Sequence, residues 1–137
     1  MDKKFDQELF QLNEPIQVFC VAAESFPEGV QKAHQALHEI APFDESRRYF
    51  GLSWGGPAIT YKAAATEIQD GELSDKQLEA FTIRSGPYLS IVLNDLDKIS
   101  AAFQTLIADP RVDPRGYCVE MYLGEQTVRC MVTIDEE

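Results

Sequence analysis

The sequence predicts an α+β protein made of two consecutive β-α-β-β units, arranged as a pseudo-twofold tandem repeat of antiparallel sheets. Both helices are expected on one side of the sheets, and a ligand groove on the other. The length of 137 residues suits one domain with a sizeable core. Two segments carry apolar residues at helical spacing, and two strand-like runs follow each of them. We therefore expect a single domain over residues 1–137, with units at about 16–67 and 79–135.

The first unit follows an N-terminal segment in which Phe5, Leu9 and Leu12 predict a short helix. The helix of the unit is amphipathic and stops before Pro42, because proline cannot continue it. A Gly-Gly-Pro turn is expected between its last two strands. The predicted elements are a strand at 16–24, a helix at 26–41, and strands at 48–54 and 58–67.

The second unit has the same order of elements, and a polar linker at 68–76 precedes it. Asp95 is the predicted N-cap of its helix. Its first strand is interrupted by a Gly-Pro pair, and its last two strands form the final hairpin. The predicted elements are a strand at 79–92, a helix at 95–110, and strands at 116–123 and 127–137.

The two units resemble each other in detail. At an offset of 68 residues, Tyr49 falls on Tyr117 and Trp54 falls on Tyr122. The apolar spacing of the first helix recurs in the second at an offset of 66 residues. This agreement in pattern and order indicates an internal repeat.

One carboxylate stands within an apolar strand of the final hairpin. In GYCVEMYL, residues 116–123, every second residue is apolar, and Glu120 lies on the opposite face. A turn centred just after Gly124 would place Glu120 opposite Arg129. The apolar face would then pack on the helix, leaving Glu120 and Tyr122 on the other side of the sheet. The structural alternatives to a ligand site are a solvated Glu120 or an ion pair with Arg129.

The equivalent face of the first unit carries large side chains. They are Phe50, Leu52, Trp54 and Tyr61. An ordinary solvent-facing surface would not carry these residues, so we expect this aromatic face and the carboxylate to line a shared groove. Core packing is the alternative for Trp54, and the register of the first unit's hairpin stays open.

Three sequence segments, in this order and spacing, resemble a known family. They are GLSWGG, SGPYLSIV leading into a helix, and YCVEMYL followed by VRCMVTID. The chain is similar over residues 16–135 to the GyrI-like, or bacterial effector-binding, superfamily of SHS2 type. The resemblance implies a groove between the two units that binds lipophilic, often cationic, drug-like molecules, with a glutamate at the position of Glu120 supplying the countercharge. Tyr88 matches a family position near that groove. Together with the faces of the two hairpins, this gives as candidate ligand-binding residues Glu120, Trp54, Tyr122, Tyr88, Tyr61 and Phe50.

The resemblance implies three candidate functions. The first is a stand-alone small-molecule binding protein, equivalent to the effector-binding domain of a transcription regulator without its DNA-binding part. The second is a hydrolase of reactive cyclopropane-bearing compounds, in which Glu120 activates water and Trp54 or Tyr122 positions the substrate. The third is an interaction protein that inhibits gyrase. We expect the binding function rather than an enzyme, with a protein partner as a further possibility.

Composition and charge narrow the function classes. The net charge is −11, and basic residues occur only in scattered pairs, so direct nucleic-acid binding is not expected. No apolar run is long enough for a membrane span or a signal peptide, which predicts a cytoplasmic protein. The three cysteines indicate buried free thiols. His34 and His38 are read as residues of a surface helix, so no metal or cofactor is expected.

Overall fold

The computed structural model describes residues 5–55, 58–113 and 116–134, and it confirms the predicted α+β class. Its helices are α1 (Val30–Ile40) and α2 (Ile99–Ile107), and a 3₁₀ turn at Leu96–Lys98 precedes α2. The strands are β1 (Glu8–Leu12), β2 (Ile16–Ala22), β3 (Tyr49–Trp54), β4 (Thr60–Ala65), β5 (Glu79–Ile83), β6 (Gly86–Leu93), β7 (Cys118–Tyr122) and β8 (Val128–Thr133). No helix in the described ranges is long and apolar enough to cross a membrane.

The eight strands form one antiparallel sheet in the order β1-β6-β8-β7-β3-β4-β2-β5. Strands β1 and β2 stand six places apart in this order, which is roughly 29 Å in a flat sheet at ~4.8 Å a strand. Only residues 13–15 connect them, and four residues of extended chain span at most ~14 Å. The same conflict arises between β5 and β6, which are joined by residues 84–85. The sheet therefore has to curl strongly, bringing its two edges toward each other.

Both helices pack on the same side of this sheet, which we call the helix side. Helix α1 covers β2 and β4, and helix α2 covers β6 and β8. The helical spacing of the sequence explains their orientation, because Ala33 and Leu37 of α1 and Ala102 and Leu106 of α2 are the positions that become buried. Strands β3 and β7, which pair at the centre of the sheet, lie between the strands covered by α1 and those covered by α2.

The opposite side of the sheet, the helix-free side, holds a second core. One continuous apolar cluster there joins Leu12 and Ile83, at the ends of the two edge strands, to Val119 in the middle of the sheet. The sheet thus curls around its own side chains. Both faces of the central strands are buried as a result, and this changes the assignment of faces made from the sequence.

The last hairpin has a different register from the predicted one. Three residues separate Leu123 from Thr127, and the Leu123 amide donates to the Thr127 carbonyl at 2.8 Å. Glu120 consequently pairs with Cys130, and Arg129 pairs with Met121. A shift of one residue moves a side chain to the other face. The predicted position of Glu120 opposite Arg129 is therefore wrong.

The predicted side of the sheet is also wrong for Glu120. The alternating face of Val119 and Met121 packs in the helix-free core, while Cys118 and Tyr122 pack with the α2 cluster. The prediction assumed that the apolar face had to meet a helix. The curled sheet provides a second buried surface for that face, so Glu120 lies on the helix side.

Two further differences concern the strands that begin each half. Residues 8–12 form β1 rather than a helix, because they complete the sheet beside β6. The single strand predicted at 79–92 is two strands that pair with different neighbours, and Gly86 at their junction has a positive φ of 126°. The turn predicted between β3 and β4 includes residues 56–57, which lie outside the described residues.

Candidate functional site

Glu120 lies at the centre of the sheet, where its backbone pairs with Gly51 of β3. Its side chain is only 9% exposed. Two phenols donate hydrogen bonds to the same carboxylate oxygen, Oε1: Tyr61 at 2.9 Å and Tyr122 at 2.5 Å. Among the described residues, no cation pairs with this carboxylate, and both hydrogen bonds that it accepts from side chains go to Oε1 rather than Oε2. The site therefore contains a buried acid whose hydrogen bonds are concentrated on one oxygen.

Gly51 makes the room for this arrangement. A Cβ atom at residue 51 would overlap the Tyr61 hydroxyl and the Glu120 carboxylate. Because glycine has no side chain, the tyrosine from β4 and the glutamate from β7 can meet above the backbone of β3. A glycine within a strand usually weakens it, so its presence here reflects this close approach.

Helix α1 adds a third layer through His34. The His34 Nε2 atom lies 2.8 Å from the Tyr61 hydroxyl. Since Tyr61 has one hydroxyl proton and donates it to Glu120, the His34 Nε2–H must donate to Tyr61, which assigns the imidazole tautomer. The ring of His34 also stands edge-on to Tyr61 and Tyr122, with centroid separations of 5.7 and 5.8 Å. His34, Tyr61 and Glu120 thus form a hydrogen-bond chain directed into the sheet.

Burial controls the protonation states of this cluster. It raises the pKa of the Glu120 carboxyl, and the hydrogen bonds from Tyr122 and Tyr61 partly oppose that rise. Burial lowers the pKa of His34 to about 4, so the imidazole is neutral at pH 7. The pKa values of Tyr61 and Tyr122 are raised by burial first and by the neighbouring Glu120 carboxylate second, so both phenols keep their protons.

A cavity of about 710 Å³ opens beside this cluster on the helix side. Its wall is formed by His34 and His38 of α1, Tyr49 of β3 and Tyr122 of β7. The His38 ring stacks on Tyr49 with a centroid separation of 4.3 Å. Glu120 lies one side-chain layer behind this aromatic wall, since Tyr122 both lines the cavity and bonds to the carboxylate.

The mouth of the cavity combines exposed apolar residues with carboxylates. Phe43 is 77% exposed, Leu123 is 50% exposed and Leu96 is 38% exposed, and all three line the cavity. Three acidic residues also line it: Asp44, Glu45 and Glu125. Apolar side chains left in water at one opening are typical of a surface that binds something.

Arg47 is the one guanidinium that lines the cavity among the described residues, and its charge is already compensated. It forms two hydrogen bonds with the Glu72 carboxylate, at 2.6 and 3.1 Å. It also donates to the carbonyls of Pro42 and Thr66 at 3.0 and 2.9 Å. Arg47 therefore fixes the segment that carries Phe43, and the net charge of the cavity stays negative.

The six candidate residues from the sequence fall into two groups. Glu120, Tyr122 and Tyr61 come together in the cluster on the helix side. The other three contribute to the helix-free core: Phe50, Tyr88 and Trp54. Phe50 and Tyr88 are fully buried there, and the Trp54 ring packs against Phe81 and Tyr117. The structure thus brings together three of the six.

Sequence reasoning missed His34 and Gly51. The sequence predicts His34 to be a residue of a surface helix, whereas the structure places its ring against Tyr61; His38 lies on the same face, one turn later. Gly51 carried a usable signal, because it lies within an otherwise bulky strand and the repeat offset of 68 residues aligns it with Val119, the residue before Glu120. An internal glycine at that place indicates a close approach of another group.

No family model and no curated protein matches this chain in sequence. Several solved structures share its fold. A hydrolase from Listeria innocua is 13% identical with a TM-score of 0.59, covering 98% of this chain and 94% of its own. A protein from Staphylococcus aureus assigned to bacterial transcription regulation is 13% identical with a TM-score of 0.60, covering 96% of this chain and 99% of its own.

A third similar structure was solved with a ligand. It is SAV2435 bound to tetraphenylphosphonium, which is 10% identical with a TM-score of 0.66, covering 96% of this chain and 94% of its own. At such low identity these likenesses establish a shared architecture and no shared function. The chain therefore shares its fold with a protein that binds tetraphenylphosphonium, with a hydrolase and with a protein assigned to transcription regulation.

Proposed function

We propose that this protein binds a lipophilic organic cation in the cavity beside Glu120, as a stand-alone small-molecule binding domain. The observation that carries the proposal is the buried Glu120 carboxylate, which has no cationic partner among the described residues and lies directly behind an aromatic wall. A buried acid of this kind is stabilised in its charged form by an opposite charge nearby. A ligand cation in the cavity would supply that charge.

Three properties of the cavity support this ligand class. Its volume of about 710 Å³ is in the range of sites for drug-sized molecules. The rings of His34, His38, Tyr49 and Tyr122 give it an aromatic surface, and aromatic faces attract cations by about 0.5–2 kcal/mol. Of the described residues that line the cavity, Arg47 alone carries a positive charge opposite the carboxylates at the mouth, and it is bound to Glu72. The bound tetraphenylphosphonium of SAV2435 is a ligand of the same class.

We further propose that residues 1–137 form one effector-binding domain of two related units, at about 16–67 and 79–135. The strand order supports this, because β3 and β7 pair at the centre and the strands continue outward as β4-β2 on one side and β8-β6 on the other. The cavity lies on the helix side in this arrangement, rather than on the side opposite the helices. Glu120, Tyr122 and Tyr61 are its proposed polar anchors.

We expect Glu120→Gln to weaken binding of methyltriphenylphosphonium by about 10- to 100-fold. At a separation of about 7 Å and an effective dielectric constant of about 20, two unit charges attract by about 2 kcal/mol. Binding of triphenylphosphine oxide, a neutral molecule of similar shape, should change much less. Titration calorimetry on the wild type and the variant measures both affinities.

Glu39→Gln provides a matched control for this substitution. Glu39 is an exposed residue of α1 that does not line the cavity, and the variant has the same change in net charge. It should bind both molecules as the wild type does. Equal losses in Glu39→Gln and Glu120→Gln would show a general charge effect and would contradict the anchor role of Glu120.

A hydrolase is the second candidate function, and the free Oε2 of Glu120 favours it. A carboxyl with a raised pKa and one oxygen without a protein donor can transfer a proton to or from a reacting group. In this function Glu120 would activate a water and Tyr122 would position a reactive, cyclopropane-bearing substrate. Release of product from such a compound by the purified protein, lost in Glu120→Gln, would favour catalysis over binding alone.

A further inference from the structure

We propose that binding of an organic cation in the cavity releases one proton from Glu120, and that His34 sets the pH at which this release occurs. The inference rests on the proposed function. It adds a coupling between ligand charge and proton content, and it gives His34 a role as a positioning residue. The coupling follows from the hydrogen-bond geometry of the carboxyl group and from the charges around it.

The geometry of Glu120 accommodates a proton without rearrangement. Tyr61 and Tyr122 both donate to Oε1, whose two lone pairs can accept both bonds in either protonation state. Oε2 accepts no hydrogen bond from the described residues, so a proton on Oε2 leaves both phenol bonds intact. The same cluster can therefore hold a neutral carboxylic acid or a carboxylate.

Among the described residues, the elements packed around Glu120 direct no permanent positive charge at it, since Arg129 of β8 and Lys62 of β4 contact Phe10 and Trp54 on the helix-free side. Helix α1 contributes His34 and His38, whose pKa values are lowered chiefly by burial. The packed faces of α2 contribute only apolar side chains. The strands contribute thiols and phenols with raised pKa values: Cys118 and Tyr122 of β7, Cys130 of β8 and Tyr61 of β4.

The remaining charged groups lie at the cavity mouth. Arg47 is held by Glu72, and the carboxylates of Asp44, Glu45 and Glu125 disfavour a further negative charge nearby. Glu120 thus lacks a compensating charge in the free protein. In the free protein, a proton on the carboxyl group compensates the negative charge of Glu120. In the complex, the bound cation compensates it.

The sign of the linkage follows from these two states. The free-state pKa of Glu120 lies above the ordinary carboxyl value of 4.5, and a bound cation lowers it. Between the lower and the upper value, the proton leaves Oε2 for solvent as the cation enters, so the charge of the site is conserved. Cation affinity therefore rises about tenfold per pH unit across that window and levels off above it. A neutral ligand should show no such dependence.

His34 acts on this window through Tyr61. Its Nε2–H donates to the Tyr61 hydroxyl, and a phenol that accepts a hydrogen bond becomes a better donor to a carboxylate. The imidazole therefore favours the ionised form of Glu120. His34→Phe keeps a ring and removes the donor, so the window should move to higher pH. His34→Gln retains an N–H donor and should restore a window near that of the wild type.

The test measures affinity and proton release together. Methyltriphenylphosphonium is titrated into wild type, His34→Phe, His34→Gln and Glu120→Gln by calorimetry, from acidic to alkaline pH and in two buffers of different ionisation enthalpy. The ¹³C signal of the Glu120 carboxyl carbon is followed against pH in the ligand-free protein. We expect up to one proton released per cation in the wild type, and none in Glu120→Gln.

The outcomes separate this inference from the binding function. Cation binding with flat affinity across pH and no buffer dependence would overturn the proton coupling and leave the binding function standing. Absence of cation binding would overturn both. A Glu120 signal that titrates at the ordinary carboxyl value would overturn the proton coupling, and a signal unmoved by His34→Phe would overturn the role of His34.

Discussion

We expect Phe50→Ala to lower the free energy of unfolding by about 3–5 kcal/mol, the usual cost of truncating a buried phenylalanine. Phe50 is fully buried on the helix-free side, in the cluster that the sheet curls around. Its neighbour Met121 pairs with it across the central strands, and the Arg48 guanidinium lies 5.6 Å above its ring. The cavity left by the substitution would therefore open at the centre of the fold. Chemical denaturation of the purified variant measures the loss.

Phe43→Ala is the matched control for this prediction. Phe43 is 77% exposed at the mouth of the cavity, so its truncation should change stability by less than about 0.5 kcal/mol. It should instead weaken methyltriphenylphosphonium binding. If Phe50→Ala proved fully stable and deficient only in binding, Phe50 would line a ligand site, as the sequence pattern had indicated.

Gly51→Ala is expected to lower the free energy of unfolding by about 2–4 kcal/mol. Overpacking typically costs about 1–3 kcal/mol, and displacing a hydrogen bond to a buried carboxyl adds about 1–2 kcal/mol. The added methyl group would overlap the Tyr61 hydroxyl and the Glu120 carboxylate, both of which belong to buried residues. Denaturation curves of the variant and the wild type give the difference.

Two further variants identify the cause of that loss. Gly55→Ala introduces the same methyl group just after β3, where nothing lies within 4 Å, and should leave stability within about 0.5 kcal/mol of the wild type. Gly51→Ala combined with Tyr61→Phe removes one of the clashing atoms, so the double variant should lose less than the sum of the single losses. Strict additivity would show that the residue 51 methyl group does not act through Tyr61.

The helices and most strands of this fold could be predicted from local patterns. The 3.6-residue spacing of buried positions marked both helices, and the apolar runs marked β2, β3, β7 and β8. Strand β1 could not be found in this way, because Leu9 and Leu12 fit a helical spacing and only the partner strand β6 decides otherwise. Long-range pairing overrides local preference at such places.

The candidate site could be predicted in part. The isolated Glu120 in an apolar strand and the aromatic positions Tyr61 and Tyr122 were predicted to lie near one another, and the structure joins the three by hydrogen bonds. The face on which they lie could not be deduced, since a three-residue loop after Leu123 sets the register and a curled sheet buries both faces of β7. Pairwise alternation fixes which residues share a face, and it leaves open which face meets the helices.

The first strand of each half of the chain pairs with a strand of the other half, β1 with β6 and β5 with β2. This pairing has a consequence for synthesis of the chain. Strand β1 pairs with β6, so residues 8–12 have no ladder partner until Gly86–Leu93 has left the ribosome. Strand β5 in turn completes the edge beside β2. Arg129 of β8 then adds an ion pair at 2.8 Å with Glu8, joining a residue near the start of the chain to one near its end. An emerging first half is thus an incomplete sheet with exposed edges, and closure waits for the last hairpin.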